Sequence, residues 1–295
     1  MPFVGEISAL LTAAFWSCSA LVFAAATARA GSLPVNVARL IIAAIYLGLT
    51  VAIGGIDLRL SAQQTWFLAI SGVIGLAVGD SFLFRAFGDL GPRITMLIMS
   101  TAPAVAAVLA YLLLDEGLSL FGVLGILVTL AGVALVVLER NEQNGNGTIV
   151  WRGLIYAVLA ATGQGVGLIF AKMAFREGEI NGFAATLVRI LASLVIMLPI
   201  GLSALHTHEG FRVLSTDRRA LGLTALGAVL GPFLGISFSL IAVASTSVGV
   251  AATLMATVPI LMLPLVHFIH KERLSAKAIG GAVIAVVGVG ILFLR

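Results

Sequence analysis

A chain of 295 residues that is 60% hydrophobic and 10% charged has too little polar material to wrap one core, since soluble domains carry about 25% charged residues. That excludes cytosolic enzymes, nucleic-acid-binding domains and secreted disulfide scaffolds, the last also because Cys18 is the single cysteine. What remains is a polytopic membrane protein, in which a net charge of +4 reflects loop arginines rather than an anionic polymer partner.

A helix needs roughly 20 apolar residues to cross the bilayer, and charge, Pro, Gly and Asn mark the breaks. The first stretch, 3–26, has no basic region before it and reads as a retained span, not a signal peptide. It carries Trp16, Ser17 and Ser19 mid-span and Glu6 near its start. Spans at 34–53, with Arg39 near the head, and 65–86, with Asp80 behind Gly75 and Gly79, come next. Then come 92–113, holding Met99, Thr101 and Pro103, and 120–138, holding Gly125 and Gly132. A polar run at 139–147 reads as a hinge. Beyond it lie 152–172 with Thr162 and Gln164, 182–203 with Arg189, and 219–241 with Gly227, Gly231 and Gly235. The last two are 249–270, with Met255, Thr257 and Pro259, and 276–294, with Gly281 and Gly288. A second polar stretch, 206–219, reads as a loop. The expected fold is therefore an all-α integral membrane protein of ten transmembrane helices, divided into 1–140, a polar hinge at 141–150, and 151–295.

The two halves repeat one another. Shifting the chain by 156 lays residues 84–139 over 240–295 without a gap. Met99 then falls on Met255, Thr101 on Thr257, Pro103 on Pro259, Glu116 on Glu272, Gly125 on Gly281 and Gly132 on Gly288. Earlier in each half, 21–24 (LVFA) faces 168–171 (LIFA), and Arg39 faces Arg189. Identical apolar pairs mean little in strings this greasy; the polar and helix-breaking pairs carry the signal. An odd number of helices per repeat forces the second copy to enter the membrane from the other side. The five-helix repeats are thus expected to be inverted, the construction of many secondary transporters, with the substrate near the midplane between them.

At these residues the sequence resembles the drug/metabolite transporter superfamily in its EamA-like, ten-helix branch. The pattern occurs twice: Arg39 followed by TAPAVAAVLAYLLLDEGLSLFGVLGILVTLAGVALVV, and Arg189 followed by TVPILMLPLVHFIHKERLSAKAIGGAVIAVVGVGILF. The resemblance implies an exporter of amino acids or other small metabolites, relatives carrying nucleotide sugars or phosphorylated sugars. Within the branch the chain looks most like the aromatic amino-acid exporters of the YddG type.

Candidate site residues follow from what is costly in lipid. A mid-helix proline removes the hydrogen bond to the carbonyl four residues back, so Pro103 and Pro259 should free the carbonyls of Met99 and Met255. Such carbonyls are tolerated only against protein or a wet cavity, which places Met99, Thr101, Met255 and Thr257 near a substrate, or else at plain packed kinks. Burying the Asp80 carboxylate costs roughly 2.5–3.5 kcal/mol on insertion scales. It reads as a substrate-amine contact, a proton-coupling site, or a helix-end carboxylate paired with Arg85, the last being favoured. Glu6 is a shallower alternative. Gln164 reads as a cavity residue or an interhelical hydrogen-bond donor, and Trp16 as a stacking surface too central for the interfacial belt. Arg39 and Arg189 are expected to snorkel to the membrane surface or pair locally. Gly75, Gly79, Gly227, Gly231 and Gly235 read as close helix contacts, and Glu116 and Glu272 as caps in tight turns.

His267 and His270 share a helix face, but a zinc site takes four ligands, so neither a metal nor a cofactor is expected. No HExxH, GxSxG, Walker pattern or triad is present, and the chain is not expected to be an enzyme. The loops on the side of the termini hold four basic residues and the opposite loops eleven, which places both termini outside the cytoplasm. The expected function is export of small metabolites, foremost amino acids with aromatic or other apolar side chains, by alternating access across the inner cell membrane. The expected partners are the small-molecule substrate and the lipid bilayer, not nucleic acid, and a single chain can enclose the pathway. Transport of a sugar or nucleotide derivative, or an enzyme acting on lipid-linked substrates, stays open.

Overall fold

In the computed structural model the described residues are 3–113, 119–143, 150–205, 207, 209–246, 248–270 and 275–292, and they are overwhelmingly helical. In chain order the helices are α1 (Val4–Ala30), α2 (Ser32–Gly54), α3 (Ala62–Leu90), α4 (Pro92–Met99), α5 (Ala102–Leu113) and α6 (Leu120–Gln143). They continue as α7 (Trp151–Arg176), α8 (Gly182–Ala204), α9 (Glu209–Thr216), α10 (Arg218–Ser245), α11 (Val248–Met255), α12 (Val258–His270) and α13 (Ala276–Leu292). Among the described residues eight helical runs, α4 and α5 counting as one, are long and apolar enough to cross a bilayer. Two shorter apolar helices, Val258–Ile269 and Ala276–Ile291, follow them.

The helix ends are written in local chemistry. Ser61 and Gln64 form a reciprocal capping box at the head of α3. Asn181 accepts from the Phe183 amide before α8, and Asp217 accepts from the Arg219 and Ala220 amides before α10. Single glycines join α1 to α2 and α3 to α4. Gly31 and Gly91 stand at φ of 82° and 77°, which side-chain-bearing residues rarely adopt, and Pro92 then starts α4 with its fixed φ.

The spans at 92–113 and 249–270 are each interrupted just ahead of Pro103 and Pro259, as full cuts at Ser100–Thr101 and at Ala256–Thr257. Two expectations need correction. The polar stretch at 206–219 is not plain loop: α9 forms there because Phe211 and Leu214, one turn apart, share an apolar face, with Leu214 buried. The start of the hinge, 139–143, is still helix and belongs to α6. Residues 144–149, Glu116 and Glu272 lie outside the described residues, so the capping roles expected of the two glutamates do too.

The structural breaks repeat in the same register as the sequence. Both α3 and α10 carry a seven-residue π-helical segment, Val73–Gly79 and Val229–Gly235. In each, the amide at the segment's end reaches back five residues, Asp80 to the Gly75 carbonyl and Ile236 to that of Gly231. Packing between the halves is reciprocal. α1 lies along α10 and α7 along α3, while α2 meets α8 and α6 meets α13. The α6–α13 seam is close-packed: a Cβ on Gly132, Gly281 or Gly288 would collide with the facing backbone or with Thr129 and Val136. Lipid is the solvent here, so burial selects by size and polarity. Ala9, Ala13, Ala20, Ala26 and Ala30 of α1 are buried, whereas Ile45, Leu49 and Ile53 of α2 and Val195 and Leu202 of α8 point outward.

Candidate functional site

Where α1, α3 and the α4–α5 break from one half meet α7, α8, α10 and the α11–α12 break from the other, a cavity of about 180 Å³ remains. Liquid water takes about 30 Å³ per molecule, so this is room for a small solute. Trp16, Asp80, Met99, Gln164 and Met255 line it, together with Pro103 and Pro259. Thr101 and Thr257 do not. Their hydroxyls turn back onto their own helix ends, donating to the Ile98 carbonyl at 2.7 Å and the Leu254 carbonyl at 2.6 Å. The prolines stand second in α5 and α12, where a missing N–H costs nothing; they start new helices rather than kink old ones.

Asp80 is 4% exposed, and its partner is not Arg85. Its Oδ2 accepts from Arg39 Nη2 at 2.6 Å and its Oδ1 from Gln164 Nε2 at 2.7 Å. Arg85 instead lies over the rings of Phe82 and Tyr156, about 5.9 and 5.8 Å from their centroids. The reason is depth: Asp80 ends a π-helical segment well inside α3, two turns and more before Leu90.

The two interior arginines are also corrected. Arg39 and Arg189 lie two turns inside α2 and α8, at 3% and 5% exposure, and both line the cavity. Neither snorkels. Arg39 is held through two of its nitrogens: Nε donates to Asn36 Oδ1 at 2.8 Å, and Nη2 donates to Asp80 and to the Leu76 carbonyl at 3.3 Å. Its guanidinium also sits over Phe84 and Phe23, 5.0 and 5.9 Å from their centroids. Asn36 in turn donates to Ser81 Oγ at 2.9 Å. Such a pair is retained because each charge would be costly alone.

Arg189 makes none of these hydrogen bonds, and Asp80 acts on it only at longer range. Its Nε is buried without a hydrogen-bond partner, and among the described residues no carboxylate forms an ion pair with it. Gly75 makes space for it; a Cβ there would stand 3.3 Å from Arg189 Nη2. The repeat register explains the difference. The shift of 156 puts Ile236 where Asp80 would be, and the shift of 150 puts Thr186 where Asn36 would be. Thr186 donates to its own helix, at the Gly182 carbonyl, and Ser237, matched to Ser81, has a buried hydroxyl with no partner. The mismatch of Asp80 with Ile236 was legible in the sequence, as was the depth of both arginines. Their burial was not, because it depends on how α2 and α8 meet.

The rest of the wall is apolar and aromatic. Phe23 meets Phe84 edge-on at 5.0 Å, and Trp16 lies against Gly235, where no Cβ would fit. On the far side, Gly163 and Gly79 touch backbone to backbone, which brings Gln164 within reach of Asp80. At the two ends of the bundle the halves are tied by polar pairs. Arg29 meets Asp217 at 2.8 Å and Arg152 meets Asp89 at 2.9 Å at one end. Thr246 donates to Glu6 at 3.0 Å and Gln63 to Glu177 at 3.2 Å at the other.

This arrangement of matched helix breaks around an interior cavity coincides with a sequence match that spans both halves. The sequence pattern of the EamA-like transporter family fits residues 3–138 and 151–294. The chain belongs to the EamA-like transporter family. It is a multi-pass membrane protein of the drug/metabolite transporter superfamily, a family of transporters rather than enzymes. One solved crystal structure superposes on this EamA-like chain with a TM-score of 0.67 at 17% identity, over 98% of this chain and 96% of that one. At that identity the likeness speaks for the fold alone. No curated protein matches the sequence.

Proposed function

We propose that this EamA-like chain exports small metabolites, foremost amino acids with aromatic or other apolar side chains, by alternating access across the inner cell membrane. The observation that carries the reading is the cavity between two matched helix breaks, apolar over most of its wall and charged at Arg39, Asp80 and Arg189. Discontinuous helices at the interface of two repeats are how many secondary transporters build a midplane site. In this reading α4–α5 and α11–α12 each make one span, giving ten. Residues 1–140 and 151–295 form two inverted five-helix repeats joined by 141–150.

The end-to-end pairing supports the inversion. α1 runs antiparallel to α10, since Glu6 meets Thr246 at one end and Arg29 meets Asp217 at the other. α7 runs antiparallel to α3 by the same test, with Arg152 on Asp89 and Glu177 on Gln63. Rocking one half against the other would break the ties at one end while the core contacts persist. The basic-residue asymmetry places both termini outside the cytoplasm, and the pathway is enclosed by one chain.

Efflux from proteoliposomes loaded with a panel of amino acids, aromatic ones included, tests the reading. Counterflow of one or more of them, lost on filling the cavity with M255W, supports it. Failure to move any amino acid while a sugar or nucleotide derivative is moved would assign a different metabolite class.

A further inference from the structure

We infer that Arg189 is the anchoring group for the transported molecule and that it takes a carboxylate, the amino group of the cargo being dispensable. The inference rests on the transport reading above and specifies its site. Arg189 is 5% exposed, faces the cavity, and holds a buried Nε with no hydrogen-bond partner. Its repeat counterpart shows what a completed site looks like: Arg39 has an aspartate, an asparagine and a carbonyl. At Arg189 the aspartate's place is taken by Ile236 and the asparagine's by Thr186. Both arginines line the cavity, and the built-in carboxylate pairs with one and not with the other.

Charge gives the same answer. The titratable groups lining the cavity are Arg39, Asp80 and Arg189; two guanidiniums and one carboxylate leave one positive charge. Each Asp80 oxygen already holds a donor, Arg39 or Gln164, so an ammonium group would have to share a carboxylate that is already paired. The helix breaks do not decide the sign, because each presents the end of one half-helix beside the start of the next and their dipoles largely offset. A guanidinium fork is matched to a carboxylate, which it grips with two parallel hydrogen bonds. The apolar wall formed by Trp16, Phe23, Met99 and Met255 would receive the side chain.

The cargo is thus defined by an acid at one end and an apolar body at the other. Three probes separate the parts: phenylalanine, 3-phenylpropanoate (the acid without the amine) and phenethylamine (the amine without the acid). With the full chain purified in detergent, both acids should raise the thermal unfolding midpoint and phenethylamine should not. R189Q should weaken both acids by at least about tenfold, the scale of a lost charge-assisted hydrogen bond. R189K should restore part of the affinity, because it returns the charge without the fork. I236D should weaken the acids as well, because it gives Arg189 the partner that Arg39 already has. The inference fails if phenethylamine binds as well as the acids, if R189Q folds and binds them unchanged, or if neither acid binds. The outcomes separate the two readings. Phenylpropanoate binding lost in R189Q, with no amino acid exported, would remove the amino-acid reading and keep the anchor. Amino-acid efflux that survives R189Q would do the reverse.

Discussion

The two repeats place an arginine at the same depth and treat it in opposite ways. In the first, Arg39 is locked by Asp80, Asn36, the Leu76 carbonyl and two phenyl rings. In the second, Arg189 stands at the cavity with its Nε unbonded, and Ser237 nearby in sequence register has an unbonded hydroxyl. One half ties its buried charge into a hydrogen-bonded pair; the other leaves it with only the longer-range attraction of Asp80. Duplicated halves start with the same parts, so divergence at one matched pair, Asp80 and Ile236, is enough to separate a structural role from a binding one.

The largest effect should come from breaking the completed network. R39Q leaves the Asp80 carboxylate buried with Gln164 as its remaining side-chain partner, and stranding one member of a buried pair costs about 3–5 kcal/mol. Loss of folded protein on size-exclusion chromatography, or a steep fall in unfolding midpoint, is the expected result. R189Q should disturb the midpoint far less, because no ion pair holds Arg189 and Asp80 acts on it only at longer range. If the two variants are destabilised equally, the contrast between the halves is gone.

D80N should cost less than R39Q, on the order of 1.5–3 kcal/mol, because Arg39 keeps Asn36, the Leu76 carbonyl and the two rings. The pH profile of transport should survive it, since an aspartate with both oxygens bonded is a poor proton carrier. A profile flattened in D80N would return Asp80 to the coupling role. Next in size is the seam that both halves share. G132L drives a side chain into the α13 backbone at Gly281 and Ala285, and overpacking of this kind costs about 1–3 kcal/mol. Thermal unfolding should show it, and G280L, on a glycine with open space around it, should not.

How much of this was legible in the chain follows from the range of the forces involved. The apolar runs were readable to within a few residues because charge, proline and glycine mark their breaks locally, and the repeat was readable because Pro103, Pro259 and the glycines recur in register. The placement of the cut, at Ser100–Thr101 with Pro103 inside the next helix, was not, because where and how far a helix is cut depends on what packs around it. The partner of Asp80 was misread for the same reason. Arg85 is five residues away and Arg39 is forty-one, and only the meeting of α2 with α3 makes the distant one near. The short helix α9 was hidden because Phe211 and Leu214 are too few to set a period until Ala30 and Pro34 pack against Gly210.

The smallest expected effect concerns matched helix caps, and it sharpens the same comparison at the membrane edge. The shift of 156 pairs Ser61 with Asp217. Ser61 caps α3 with a neutral hydroxyl inside a capping box, whereas Asp217 caps α10 with a carboxylate that also meets Arg29 at 2.8 Å. The Ala220 amide first, and then the Arg29 guanidinium, hold the Asp217 carboxyl below its usual range. A carboxyl whose value is lower folded than unfolded adds stability that is fully present above the unfolded value, about 3.9. That stability fades as pH falls through the lower, folded one. D217S keeps a capping oxygen and gives the second half the chemistry of the first. Its unfolding midpoint should lie slightly below that of the parent chain near neutral pH, and the gap should close as the pH is taken below about 3.9, whereas a gap between S61A and the parent should stay level across the same range. A D217S gap that did not narrow in acid would mean that the cap works by shape alone and that the Arg29 contact adds nothing.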